Sequence, residues 1–423
     1  MRRPTEILGT VCAVSALLLC ACGTVEHPVA DAPDYAGVQP ILDRVTTADG
    51  APGVLLGVRA AHGRTVLASG VANLATAAPM DGTSRFRIGS MTKVFVATVV
   101  LQLVGEGRVA LDAPVEEYLP GVVQGNGNNG RDITVRQLLQ HTSGLPDYLD
   151  HIPLEQVLKD PLRHYDPLEL VQIGSAHPPL FPPGSDWAYS NTNYVLAGMI
   201  IERVTGRAPR DAVEQRIIAP LGLDETTVPG DGPGIPGTHP RGYGRHGGAD
   251  PLDLTEMNPS IASSAGGMIS SAADLNKFLD ALVNGHLLSA PEREAMMTTR
   301  PLGNAHNDAY GLGLQSTPLP CGGLYWGHDG AIFGSQTFGA TTTDGRSVTV
   351  MANLYPGETD AQEADIRTAL ETALCASTPH QTPTLTRCVR FFRVAAERPA
   401  GLAPTRRRCQ CCITVLRLSG RRI

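Results

Sequence analysis

Apolar and polar positions change their period several times along the chain, and each change marks an element. Residues 41–44 begin a helix, and 53–60 and 65–72 follow as strands joined by a turn at His62-Gly63-Arg64. Phe86, Ile88 and the glycine after it lead into a long helix over 90–106. That helix carries Val94, Phe95, Val96, Val99, Val100, Leu101 and Leu103, apolar nearly all round, so it is expected in the middle of the protein. From 134 to about 206 the pattern is helical and loop-rich, with Thr134 placed to cap a short helix. Residues 228–250 are crowded with Gly and Pro and read as a long surface connection. Strand character returns at 324–326 and continues through 336–340 and the alternating Val348, Val350, Ala352 and Leu354, with Asp344-Gly345 as a hairpin turn. Ile366, Ala369, Leu370, Ala373 and Leu374 recur at helix spacing, which gives a last helix that packs on the sheet. The expectation is an α/β (α+β) protein, an antiparallel sheet flanked by helices with an all-helical subdomain inserted.

Composition and the chain ends narrow this picture. Hydrophobic content of 42% and charged content of 18% are globular values, and 423 residues allow one large unit. A net charge of −7 leaves no footprint for nucleic acid, so a small molecule or peptide is the default partner. Arg2 and Arg3 precede a mostly apolar run, 7–20, too short for a comfortable membrane span, and this reads as an export signal. Leu19-Cys20-Ala21-Cys22-Gly23 is similar to a bacterial lipobox, which would put lipid on Cys22. Residues 1–22 are thus expected to be a leader, 23–37 a tether, and 38–376 the folded domain. The expected location is outside the cytoplasm, either at the outer face of the membrane through one lipid anchor or secreted. A monomer is expected.

The tail, 377–423, changes character, with ten arginines, one acid and cysteines at 388, 409, 411 and 412. Cys409, Cys411 and Cys412 are too tightly spaced for the usual Cys-x-x-Cys zinc pattern, so neither a metal nor a cofactor is expected. Cys321 and Cys375 are the only cysteines of the expected mature core, and an oxidising compartment makes them natural partners.

Candidate chemistry centres on Ser90-Met91-Thr92-Lys93. Three-residue spacing at a helix start puts the hydroxyl and the amine on one face about a turn apart. Serine needs a base, and lysine serves as one only where burial or charge lowers its pKa toward neutrality. The chain has three lysines against 31 arginines, so a lysine here is not background usage. Tyr189-Ser190-Asn191 follows a Pro-Pro-Gly turn, and extended spacing lets phenol and amide face one cleft. There, tyrosinate beside a lysinium could relay the serine proton, and Asn191 could hold a substrate carbonyl or amide. Gly327-His328-Asp329-Gly330 lies in a strand-like stretch, with glycines that let a substrate backbone approach and an imidazole expected to form the opposite polar wall.

In this order, the three segments resemble the signature of the serine beta-lactamase and DD-peptidase superfamily. Tyrosine in the second motif and histidine in the third look like its class C beta-lactamase, secreted DD-carboxypeptidase and family VIII esterase branch, and His141-Thr142-Ser143-Gly144-Leu145 resembles a segment frequent there. The similarity spans about 38–376 and is nearest to actinobacterial D-alanyl-D-alanine carboxypeptidases. The resemblance implies that family's fold and acylation of Ser90, with Lys93, Tyr189 and His328 as catalytic partners. It further implies Asn191, Asp329, Gly330 and Ala331 at the substrate, the N–H groups of Ser90 and Ala331 forming the oxyanion hole. The first expectation is D-alanyl-D-alanine carboxypeptidase-like action on a peptidoglycan stem peptide, with an esterase or a beta-lactamase using the same machinery second; a non-catalytic penicillin-binding receptor would need a span and a partner domain that the sequence does not display. Departures fall on the substrate side: Asp329 and Ala331 stand where hydroxyl residues are usual, Gln315 where an arginine is, and Ile261 where an indole is. An acid beside the site repels a carboxylate. No Gly-x-Ser-x-Gly or His-Glu-x-x-His segment offers another hydrolase.

Overall fold

The computed structural model describes residues 34–61, 63–245, 250–357 and 359–376; the expected leader, Cys22 and the Arg-rich tail lie outside the described residues. Strands β1 (Gly53–Ala60), β2 (Gly63–Asn73), β3 (Ala78–Pro79), β4 (Arg300–Pro301), β5 (Ala309–Tyr310), β6 (Gln315–Pro318), β7 (Leu324–Ile332), β8 (Ser335–Thr342) and β9 (Ser347–Ala352) form one antiparallel sheet. Their order is β4-β5-β6-β7-β8-β9-β1-β2-β3, so the first strand enters between the last strand and its own hairpin partner. Helices α1 (Gln39–Thr47) and α5 (Ala361–Cys375) cover one face, and α4 (Ala272–Val283) packs on β1, β8 and β9.

Strand periodicity explains this layering. Val54, Leu56 and Val58 of β1 join Val348 and Val350 of β9 and Ile366 and Leu370 of α5 in one core, whereas Leu55 and Met351 turn to the other core with Leu275, Phe278 and Leu279 of α4. Both faces are covered, so β1 reads as an apolar run, whereas β9 alternates Val348 and Val350 with buried Ser347 and Thr349. Three edge strands, β4 to β6, and helix α4 lie where the sequence pattern had marked no element. The strands are only two to four residues long; α4 carries its own helical period, with Leu275, Phe278, Leu279 and Leu282 on one face and Ser271 as its cap.

The buried helix α2 (Thr92–Gly105) lies in the larger core, its Phe95 ring stacked on Phe278 with centroids 3.7 Å apart. Each buried Val or Phe of this helix contributes about 1.5–3 kcal/mol. Lys93 is its one charged side chain and is fully buried. The helical segment has the expected start, where Thr134 accepts from Gln137 N–H at 3.2 Å and Gln137 returns the bond to Thr134 N–H at 2.9 Å. It also holds α3 (Asn191–Thr205), packed on α2. Residues 228–245 are mainly irregular but include Tyr243–Gly244, paired with Leu252–Asp253. Cys321 and Cys375 are joined by a disulfide with Cα atoms 5.8 Å apart, fastening the end of α5 to the loop before β7.

Candidate active site

Ser90 sits in the middle of a 3-10 turn, Gly89–Met91, that runs directly into α2, so the α-helix begins two residues later than the sequence pattern implied. Two glycines let this turn lie against β7. Gly89 has φ +50°, and a Cβ there would be 2.7 Å from Ala331 N; one on Gly330 would be 2.1 Å from Ile88 O. The serine is thereby fixed at the strand edge.

Lys93 follows one turn on. Its Nζ donates to Ser90 Oγ at 3.0 Å, Asn191 Oδ1 at 2.7 Å and Ala265 O at 2.8 Å. Burial pushes its pKa from 10.5 down to about 7, against the pull of Asp147 and Asp329 in the other direction. Amide and carbonyl oxygens cannot donate, so a neutral amine spends its two hydrogens on Asn191 and Ala265. Its lone pair is then left for the Ser90 hydroxyl.

Tyr189 lies beside this pair, with Lys93 Nζ 4.7 Å from its ring centroid. Burial, then the Asp329 carboxylate, raise the phenol well above its ordinary value, although the Ser90 hydroxyl beside it works the other way. Among the described residues no group makes a well-formed hydrogen bond to the phenol oxygen. In this environment the phenol keeps its proton and the amine is the readier base, so the tyrosinate beside a lysinium expected from the sequence could form only during a proton relay and not in the free site. The His141 ring packs tilted against Tyr189 with centroids 4.3 Å apart, and its Nδ1 accepts from Ser190 N–H at 3.1 Å. Asn191 opens α3, and its backbone N–H and Nδ2 both donate to Asp147 Oδ2, at 3.0 and 2.7 Å.

His328 departs from its expected position. Its side chain is fully buried and does not line the cleft; the ring lies behind Tyr189, centroids 6.2 Å apart. Strand alternation is the reason, since it turns Asp329 and Ala331 to the cleft and the imidazole inward. His328 Nδ1 donates to Asp329 O, so Nε2 accepts from the Tyr310 hydroxyl at 3.0 Å. Burial keeps its pKa below the usual value, and the ring neutral.

The cleft is about 490 Å³, with Ser90, Tyr189, Asn191, Gln315, Asp329 and Ala331 among its lining and an apolar side that includes Tyr148, Ile152, Ile261 and Phe333. Strand β6 pairs with β7 only as far as Gly327, so the β7 edge beyond it has no strand partner on that side. The Asp329 carboxylate is 43% exposed and accepts from Gln315 Nε2 at 3.1 Å. Among the described residues, no arginine or lysine lines this cleft.

A family model, Beta-lactamase, matches residues 38–373. The chain belongs to the beta-lactamase family. This is a family of serine hydrolases, and the large antiparallel sheet flanked by helices is its fold. The chain is similar to a D-stereospecific amidohydrolase from Streptomyces sp., 41% identical, with TM-score 0.75 over 82% of this chain and 100% of that one. It is also similar to the D-amino acid amidase of Ochrobactrum anthropi SV3, 30% identical, with TM-score 0.69 over 81% and 97% of the two chains. Penicillin-binding protein 4 of Amycolatopsis lactamdurans is 32% identical over 257 residues, 58% of this chain and 63% of that protein.

Within this beta-lactamase-family site, the structure brings Ser90, Lys93, Tyr189, Asn191, Asp329 and Ala331 together, with His328 one layer behind. Asp147, Tyr310 and the Ala265 carbonyl were not singled out from the sequence. A backbone carbonyl carries no sequence signal. Asp147 stands two residues past the His141–Leu145 segment, and that nearness was the only available hint.

Proposed function

We propose that this chain is an exported serine acyl hydrolase that works through a Ser90 acyl-enzyme on amides or short peptides of D-amino acids bearing a free amine. One observation carries the reaction: Lys93 Nζ lies 3.0 Å from Ser90 Oγ while pure acceptors hold its other two directions. Neutral Lys93 takes the Ser90 proton as Oγ bonds to the acyl carbon. The oxyanion develops toward the N–H groups of Ser90 and Ala331 at the unpartnered β7 edge. As the carbon–nitrogen bond breaks, the Tyr189 phenol protonates the leaving amine and recovers its proton from Lys93. Water then adds to the acyl carbon, giving its proton to the same base pair, and Ser90 leaves as a hydroxyl.

Substrate choice follows from the cleft charge. A terminal carboxylate would meet Asp329 and no lining cation, whereas an ammonium would meet a carboxylate held in place by Gln315. At about 4 Å this interaction is worth roughly 1 kcal/mol in water and 4 kcal/mol near a protein surface. The amidohydrolase and amidase likenesses support the same choice and supply the D configuration. A second reading, D-alanyl-D-alanine carboxypeptidase action on cell-wall peptides, draws on the penicillin-binding relative and on the open strand edge, which can pair with a peptide backbone.

The test compares a D-amino acid amide, an acyl-D-Ala-D-Ala peptide, a p-nitrophenyl ester and a chromogenic cephalosporin, with Ser90→Ala as control. Amide turnover exceeding D-alanine release is expected. The reverse order would establish the second reading, and activity surviving in Ser90→Ala would overturn both.

A further inference from the structure

A carboxamide is nearly symmetric in shape, so nothing in the Asn191 side chain itself decides whether oxygen or nitrogen faces Lys93. The decision is made on its other side. Asp147 caps the 3-10 turn Tyr148–His151, where its Oδ1 accepts from Leu149 N–H at 3.0 Å. That bond fixes the carboxylate's rotation and turns Oδ2 toward α3. Oδ2 there accepts two bonds from one residue, the Asn191 backbone N–H and Asn191 Nδ2. Burial raises the Asp147 pKa, but the Leu149 and Asn191 N–H groups and Lys93 favour its charged form. With both oxygens already accepting backbone N–H bonds, the carboxylate takes a hydrogen from the Asn191 side chain, so Nδ2 faces it and Oδ1 is turned to Lys93 Nζ at 2.7 Å.

The opposite amide orientation would place an –NH₂ against the amine. Its hydrogen would then take the Lys93 lone pair, which the Ser90 hydroxyl needs. We propose that Asp147 is a positioning residue for catalysis, holding the Asn191 amide so that the Lys93 lone pair faces Ser90 and the second Nδ2 hydrogen remains for a substrate carbonyl. This rests on the reading of Ser90 as nucleophile and Lys93 as base. Asp147 touches neither the serine nor the substrate in this scheme; it acts through Asn191.

The test is a double-mutant cycle on the whole protein, with kcat and KM for a p-nitrophenyl ester followed from pH 5.5 to 9. Asp147→Asn, which can turn an –NH₂ toward Asn191, should lower kcat roughly 10- to 100-fold by mispositioning. KM should change by less than about threefold. In an Asn191→Ala background the same substitution should cost less than about threefold, because the amide it orients is gone.

The pH profile gives a readout that a merely structural role would not move. Facing Lys93 are Asp147, Asp329, Tyr189, Tyr194, His141 and His328. Of these, only Asp147 loses its charge in the variant, so the acid limb of kcat/KM should move down by about one pH unit. An equal fold-loss of kcat in both backgrounds, or an unmoved limb, overturns the proposal. Should Asp147→Asn fail to fold by thermal melting, Asp147→Glu enters the same cycle. Its longer carboxylate displaces Asn191, with loss expected in the wild-type background alone and equal loss in both again overturning the idea. Ser90→Ala separates the two levels: activity in that variant sinks the nucleophile assignment, whereas an inactive Ser90→Ala beside an additive cycle sinks only the role of Asp147.

Discussion

The prediction that bears most directly on the chemistry concerns the protonation of one amine. With a pKa of about 7, Lys93 is neutral in about a tenth of molecules at pH 6, half at pH 7 and nine-tenths at pH 8. At its ordinary 10.5 the neutral fraction at pH 7 would be roughly one in 3,000, so burial raises the supply of base by about three orders of magnitude. Ester hydrolysis, followed as kcat/KM from pH 5.5 to 9, should therefore rise tenfold per unit at the acid end and level off above about pH 7.5. Burial holds His141 and His328 below their ordinary value and Tyr189 far above its own, so none of the three supplies a limb at this position. Lys93→Arg keeps a cation but cannot release its proton, and should cost at least about 100-fold while removing the limb. A limb near pH 7 that survives in Lys93→Arg, or wild-type activity still climbing in proportion to hydroxide at pH 9, would refute the reasoning. The same shift has a stability signature. Between about pH 7 and 10.5 Lys93 holds less proton in the folded chain than in the unfolded one, so its own contribution to stability rises with pH there, while the buried Tyr148, Tyr189, Tyr194 and Tyr310, held above their ordinary value, oppose it from near pH 10. The contribution of Lys93 is a penalty of about 5 kcal/mol, fully present below pH 7 and relieved toward 10.5.

Further outcomes follow from other parts of the site and fold. Gly89→Ala combines a positive φ with a Cβ 2.7 Å from Ala331 N, so Ser90 must shift; labelling by a fluorescent penicillin should slow by about 100-fold, and unchanged labelling would contradict the close-approach argument. Exchanging Asp329→Thr together with Gln315→Arg should lower D-amino acid amide turnover and raise D-alanine release from an acyl-D-Ala-D-Ala peptide, each by roughly tenfold, as measured by product analysis. No change in that ratio would remove Asp329 from the account of specificity. Cys375→Ser opens a loop whose ends are 54 residues apart, which the chain-entropy model values at about 4 kcal/mol. Denaturant unfolding should register that loss while ester turnover at 25 °C stays within about twofold.

The sequence by itself determined a good deal. Apolar periods located the β1–β2 hairpin, the strands from 324 onward and both helices that flank them, because each buries a face whose repeat is local. Ser90 and Lys93 were legible for a similar reason: a helical turn converts a spacing of three into contact without help from distant residues. Strands β4 to β6 pair with their neighbours in sequence but are only two to four residues long, too short to display a period; helix α4 does carry one, Leu275, Phe278, Leu279 and Leu282 behind the Ser271 cap, and was legible in the sequence too. Tertiary structure decided the rest. The direction in which His328 points depends on strand register against β8, and one step of register exchanges the two faces; sequence alone could name the residue but not place Asp329 in the cleft and the imidazole behind it. Whether Lys93 is a base depends on desolvation by a core assembled from many segments, together with the Ala265 carbonyl 172 positions away. Spacing supplies a pair of groups that can meet; only the surrounding packing sets the dielectric in which they react.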